Sequence, residues 1–278
     1  MSFISGELFT GLCDVAIYER MYLGIYDNIA RKCKEIIFID DGIGLREKDL
    51  IEKSFSFFVK TDFLPFFKNH VLPLIKKKFI LITHNGCKII GKDRSIVENP
   101  YLLKWFGQNM TPNEKGIGIP LGLENNYCNK IKYNIINECK NNKKEKLLYV
   151  NFSLHTNPKR KQIMERIKKR FPVNEKKNWE AYLEELSTYK YCLSPPGFGI
   201  DCHRIWECMY VNCIPIVKRD PILFTHFREL PILWVDDFDV ITDDFLEKCY
   251  PAFSNKNTTK STLQYWEALF QTLKIRHS

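Results

Sequence analysis

Short apolar runs, each the length of one buried strand and each stopped by polar or glycine residues, recur through the first third of the chain at helix-length intervals. Residues 35–39 run into Asp40-Asp41-Gly42, residues 56–59 into Lys60-Thr61-Asp62, and residues 79–83 into His84-Asn85-Gly86. Runs this short with such stops read as buried strands. The stretches between them, such as 63–77, read as helical, with Pro65 and Pro73 near helix starts or breaks. Strand, polar loop and helix in alternation predict an α/β domain with a mainly parallel sheet. Ligands of such sheets bind beyond the carboxyl ends of the strands, where these polar groups fall.

Around residues 125–146 the composition turns to Asn and Lys with few large apolar side chains, as in an exposed linker. The expected division is an acceptor-side α/β domain over 1–128, a linker over 129–145 and a nucleotide-binding α/β domain over 146–278. The second part opens with a strand at 147–152 and a helix at 158–171 that Asn157 caps and Pro158 begins. Further strands are expected at 191–193, 213–217 and 233–235. Residues 259–275 place Leu263, Trp266, Leu269 and Phe270 on one helical face, and this last helix is a candidate to return to the first domain.

The 278 residues, 45% hydrophobic and 14% aromatic, suffice for a real core, so disorder is not the default reading. A formal charge of +9 suits an anionic partner: nucleic acid, membrane surface or nucleotide diphosphate. An AT-rich coding bias would also produce such Lys, Asn and Ile abundance. The ten cysteines form no CxxC pair and no zinc-finger spacing with histidine, and read as reduced thiols. No apolar stretch reaches the roughly 20 residues that span a bilayer, and the N-terminus lacks a signal-like pattern, so the expected location is cytoplasmic, with no transmembrane segment.

The chemistry concentrates in Tyr191-Cys-Leu-Ser-Pro-Pro-Gly-Phe-Gly-Ile-Asp-Cys-His-Arg-Ile-Trp-Glu-Cys-Met-Tyr-Val-Asn-Cys-Ile-Pro-Ile-Val-Lys-Arg219, read as strand, glycine loop, helix, tight turn, strand. Ser194, Gly197 and Gly199 let backbone approach a ligand, and Asp201 is the expected helix cap. A helix start attracts phosphate. Arg204 and Glu207, three apart, share one helix face: the arginine would neutralise a diphosphate and the carboxylate accept ribose hydroxyls. The plain alternative is a surface ion pair. Asn212 suits a left-handed helix end.

This arrangement resembles the C-terminal signature of exostosin-type glycosyltransferases, a Pro-Pro-Gly loop, an arginine-bearing helix and a Gly-Cys-Ile-Pro-Val strand, with Asn212 where that pattern has Gly. Val150-Asn-Phe-Ser-Leu-His-Thr-Asn-Pro-Lys-Arg160 resembles the family's first donor-domain strand and loop, which puts Arg160, and with it Ser153, near the donor phosphates. Trp105-Phe-Gly-Gln-Asn109 and Ile119-Pro-Leu-Gly-Leu123 resemble the end of its N-terminal domain. The resemblance implies a compact GT-B fold, two Rossmann-like domains facing across a cleft. It implies transfer of a sugar from a nucleoside-diphosphate donor, UDP-sugar favoured, to a glycan or other hydroxyl acceptor, with inversion and with no metal or cofactor required.

An inverting transfer needs a base, for which Asp62, His84, Asp40 and Asp41 are candidates; desolvation is expected to raise the pKa of Asp62. Two rival readings stand beside this one. Asp237-Phe238-Asp239 matches the Asp-x-Asp pair with which GT-A enzymes bind a cation and diphosphate. The basic region 130–177 would suit nucleic acid, although no recognised binding motif accompanies it and no nucleic-acid partner is expected.

Overall fold

The computed structural model describes residues 3–20, 33–125, 133–253 and 257–277. The expected boundary at 128/129, with Cys128 and the start of the linker, lies outside them. The chain divides into two compact units, Met1–Asn129 with Thr262–Ser278, and Lys130–Ser261.

The first unit is built on six parallel strands, β1 (Val15–Tyr18), β2 (Glu35–Phe38), β3 (Ser56–Lys60), β4 (Phe79–His84), β5 (Leu102–Gly107) and β6 (Gly116–Gly118), in the order β2-β1-β3-β4-β5-β6. β3 and β4 are buried along their whole length, which is why they read as continuous apolar runs. Successive side chains point to opposite faces. Phe57, Val59, Phe79 and Leu81 therefore join one core cluster, while Phe58, Ile80 and Ile82 join another. The second cluster also takes Phe9 of α1 (Gly6–Thr10) and Leu263, Trp266 and Phe270 of the last helix. Trp266 is 2% exposed, so truncation to alanine would cost about 3–5 kcal/mol. α2 (Leu45–Lys53) buries Ile51 against the opposite face.

The second unit holds four parallel strands, β7 (Lys146–Tyr149), β8 (Tyr189–Leu193), β9 (Ile214–Lys218) and β10 (Leu233–Val235), in the order β10-β9-β8-β7. The stretch expected to be linker instead contains helix α3 (Asn134–Cys139). It is tied into this unit: Asn142 donates to Ser187 Oγ at 2.7 Å and Lys144 to the Val211 carbonyl at 2.6 Å. Asn and Lys there serve as donors to polar atoms of buried residues, a use composition does not reveal.

Between β7 and β8 lie α4 (Pro158–Ile167) and α5 (Trp179–Leu186), capped by Asn157 and Asn178. α6 (His203–Tyr210) joins β8 to β9, and α7 (Pro221–Phe227), capped by Asp220, joins β9 to β10. α6 ends at Asn212, whose φ of 55° is left-handed, and Asn212 Nδ2 donates to the Lys140 carbonyl at 2.8 Å. α8 (Asp243–Cys249) follows β10, and α9 (Leu263–His277) belongs to the first unit. Among the described residues no helix is long and apolar enough to cross a membrane.

Candidate functional site

β8 delivers the chain to Ser194, whose amide still donates to the Ile216 carbonyl of β9 at 3.0 Å and whose hydroxyl donates to the Cys192 carbonyl at 3.3 Å. Pro195 and Pro196 then fix the backbone and remove two amide donors. Their carbonyls meet Arg160 of α4: Nη2 donates to Pro195 O at 2.7 Å and Nε to Pro196 O at 2.9 Å, while Nη1 donates to Ser153 O at 3.0 Å. Asn157 Nδ2 adds a bond to the Gly197 carbonyl at 3.0 Å. A Cβ on Gly197 would come within 3.3 Å of the Arg160 guanidinium, so the residue must be small for the loop to close on the arginine. The resemblance sets Arg160 at the donor phosphates; here its fork is engaged by loop carbonyls, and it acts as a positioning residue that holds the Pro-Pro-Gly turn.

The loop carries one feature that motif reading passed over. Gly197 is buried and Gly199 half-buried, yet Phe198 between them is 78% exposed. Among the described residues it is the one Phe, Tyr or Trp that stands mainly in water.

Asp201 is not the cap of α6. That position belongs to Cys202, which makes no side-chain capping bond. Asp201 is 4% exposed and accepts from Trp206 Nε1 at 2.8 Å, pinning the first turn from outside the helix. Cys202 itself gives the amino end of α6 no side-chain bond, and the Asp201 carboxylate lies immediately before it.

On the next turn of α6, Glu207 is 8% exposed and fully engaged: Oε1 accepts from Trp179 Nε1 at 3.0 Å and Oε2 from Tyr182 OH at 3.1 Å. Burial and the Glu207 charge push the Tyr182 phenol well above its ordinary pKa, so it remains the donor of that pair. Arg204 sits with its guanidinium carbon 5.8 Å from the Tyr182 ring centroid. Burial opposes its charge, but the surrounding Tyr182, Cys192 and Glu207 outweigh that and hold it above the usual range. Its Nε is buried and has no hydrogen-bond partner. Instead of the plain alternative, a surface ion pair, the two residues act separately on one helix face: Glu207 binds α5 to α6, and Arg204 Nε keeps an unspent donor. Trp179 and Tyr182 carry no sequence signal beyond the Asn178 cap, because nothing local says which helix faces Glu207.

In the first unit the four base candidates are all engaged. Asp62 follows β3, bonded to Lys60, with Lys88 at 3.6 Å. Partial burial would raise its pKa, as expected from desolvation, but the two ammonium groups reverse the sign and hold it below the ordinary carboxylate value. His84, at the end of β4, is 0% exposed; Nε2 faces the Pro120 carbonyl at 3.0 Å and Nδ1 faces Asn85 Oδ1 at 3.0 Å. Both facing atoms are carbonyl oxygens, which only accept, so each bond needs a proton on the ring nitrogen that faces it and neither nitrogen is left open to abstract one. Asp40 and Asp41 are bonded by the Arg20 amide and guanidinium respectively.

The Asp237/Asp239 pair lies after β10 in the company of cations. Asp237 Oδ1 caps the Asp239 amide at 3.0 Å, Arg166 is 2.6 Å from Asp239, and Lys218 is 3.4 Å from Asp237. Among the described residues no group of three or more His, Cys, Asp or Glu is placed to hold a metal ion.

No family model matches the chain, and no curated protein matches it. Among solved structures it is similar to one titled "Crystal Structure Analysis of the Glycotransferase of kitacinnamycin", at 11% identity over 98% of this chain and 95% of that one, with a TM-score of 0.45. A likeness this distant carries no argument about activity, and none of these comparisons places the chain in the exostosin-like family.

Proposed function

We propose that the second unit binds a nucleoside-diphosphate sugar and that the chain is a glycosyltransferase. The observation that carries this is the Arg204 Nε, a buried cationic donor without a partner, on the helix that follows a clamped Pro-Pro-Gly turn at the carboxyl end of a parallel sheet. A buried arginine on a helix that starts beyond the carboxyl end of β8 supplies positive charge of the kind a leaving diphosphate requires. The engaged Arg160 strengthens this reading in an indirect way, since a rigid loop holds the ligand-facing backbone without an entropy cost at binding. A UDP-sugar, a glycan acceptor, a metal-independent inverting transfer, the GT-B architecture and a cytoplasmic setting belong to the same proposal through the exostosin-type motifs. Asp62 and His84, bonded as described, are left out of it, and so is a base.

Nothing favours the rivals. Arg166 and Arg170 pair with Asp239, Lys168 with Glu165 and Lys177 with Glu185, so part of the basic run from α4 onward is neutralised locally. Calorimetric titration of UDP, GDP and pyrophosphate into the wild type and Arg204→Gln tests the proposal. The wild type should bind a nucleoside diphosphate, and the variant should lose about tenfold or more, roughly 1.4 kcal/mol, at unchanged melting temperature. Absence of nucleotide binding by the wild type, or equal affinity in the variant, overturns it.

A further inference from the structure

Parallel strands put all their amino ends on one edge of a sheet, so residues that immediately precede different strands become neighbours. In the first unit Asp14 precedes β1, Lys34 precedes β2, Phe55 precedes β3, Lys78 precedes β4 and Tyr101 precedes β5. These five residues line a depression of about 750 Å³, together with Lys53 from the last turn of α2, Lys77, and Lys274 and His277 from the last turns of α9. This edge is opposite to the carboxyl ends where α/β sheets usually bind ligands.

The wall is cationic, and its single carboxylate is already committed. Asp14 Oδ2 accepts from the amides of Phe55 and Ser56 at 3.1 and 3.0 Å and from the Ser56 hydroxyl at 2.9 Å, and Oδ1 accepts from Lys274 at 3.1 Å. Lys34 stands 3.8 Å from the same carboxylate. Lys53 is paired with Asp49 at 2.7 Å, and Lys78 donates to the neutral Pro100 carbonyl at 2.7 Å. Lys77 is exposed and has no ion pair among the described residues. The C-terminal ends of α2 and α9 add partial negative charge, about half a unit each, which leaves roughly two positive charges uncompensated around the concavity. Lys115 stands close by: it donates to the Asn99 carbonyl at 2.7 Å, and burial with the neighbouring Lys78 and Lys104 ammonium groups holds its pKa below the ordinary lysine value. A lysine bias from codon usage would scatter charge over the surface. It would not gather five lysines from four separate elements around one hollow.

We propose that this basin is a second binding site, specific for a compact, soluble anion that carries two or more clustered phosphate groups. Several ammonium groups on flexible stems converge on one concavity with aromatic side chains of Phe55 and Tyr101 in its lining, a geometry that suits short polyphosphates more than a single phosphate. The site is independent of the donor site, which lies in the other unit.

Inorganic tripolyphosphate is the probe, titrated calorimetrically into the full chain at fixed moderate salt, in the Arg204→Gln background so that the donor site does not contribute. The combined variant Lys34→Gln, Lys53→Gln, Lys77→Gln is compared with a variant of equal charge change elsewhere, Lys143→Gln, Lys161→Gln, Lys248→Gln. All six side chains are exposed, so both variants should melt as the parent does. The expected result is tenfold or greater weakening in the basin variant and less than twofold in the control. Equal loss in both variants would mean net charge alone, and no binding by the parent or full retention in the basin variant would mean no site; each overturns the proposal.

Discussion

Arg160 Nη2 lies 2.7 Å from the Pro195 carbonyl oxygen, a bond between the first turn of α4 and a loop 35 residues later. It ties the two βα loops of the second unit at their carboxyl ends, and Phe152 supports the guanidinium at 5.5 Å from below. The arginine therefore holds the loop that follows β8.

Arg160→Ala should destabilise the protein by about 2–4 kcal/mol, since it removes three bonds to loop carbonyls and strands the buried one of Pro195. Arg160→Lys should recover less than half, because an ammonium cannot reproduce the planar fork. Urea unfolding of both variants measures this. A phosphate-contacting arginine would behave otherwise, with stability nearly unchanged and only affinity lost.

Glu207→Ala leaves the Trp179 indole and the Tyr182 phenol without their acceptor and should cost about 2–3 kcal/mol, whereas Glu207→Gln, which keeps one acceptor, should cost about 1 kcal/mol. The same urea series reads it. Equal stability of all three proteins would mean that Glu207 does not join α5 to α6.

Asp14 gives the fold a defined acid response. Burial raises its pKa, but the Ser56 hydroxyl, Lys274 and the Phe55 amide outweigh burial and hold it below the ordinary value. A depressed folded-state pKa contributes stability that is present above the unfolded value, about 3.9, and is lost as pH falls through the folded value. Asp14→Asn should therefore be about 1–2 kcal/mol less stable than the wild type at pH 7, with the difference shrinking below about pH 4. Chemical denaturation from pH 7 to pH 3 checks both ends, and a gap that stays constant with pH would show that the carboxylate charge is not involved.

Phe198 projects from a loop whose base is fixed, so removing its ring should leave the fold intact. Phe198→Ser is expected to melt within about 2 °C of the wild type. If the ring stacks on the nucleoside, the variant loses about tenfold in nucleoside-diphosphate affinity while pyrophosphate affinity is unchanged. Parallel loss for both ligands would assign the effect to loop geometry instead.

What was legible in the sequence is local. The apolar runs at 35–39, 56–59 and 79–83 became β2, β3 and β4; β3 and β4 are buried throughout and must be apolar along their length, and even the half-buried edge strand β2 stops where polar groups begin. The turn at Asn212 and the Asn157-Pro158 helix start were equally readable, since each depends on the conformational preference of one or two residues. β1 and β5 escaped, and so did α5, because their patterns are shorter or less regular than their burial.

Only the tertiary structure decided what the charged groups do. The sequence could place Arg160, Glu207, Asp62 and His84 at loop or helix positions, but their roles depend on Pro195, Trp179, Lys88 and Pro120, partners distant along the chain or on other elements. The sign of the Asp62 shift turned on Lys60 and Lys88, and the basin on Asp14, Lys34, Lys53, Lys77 and Lys274, brought together by strand order. The physical reason is range: periodicity and backbone preference act between near neighbours, whereas hydrogen-bond partners and electrostatic environments are set by whichever distant segments the packed sheets place within a few ångströms.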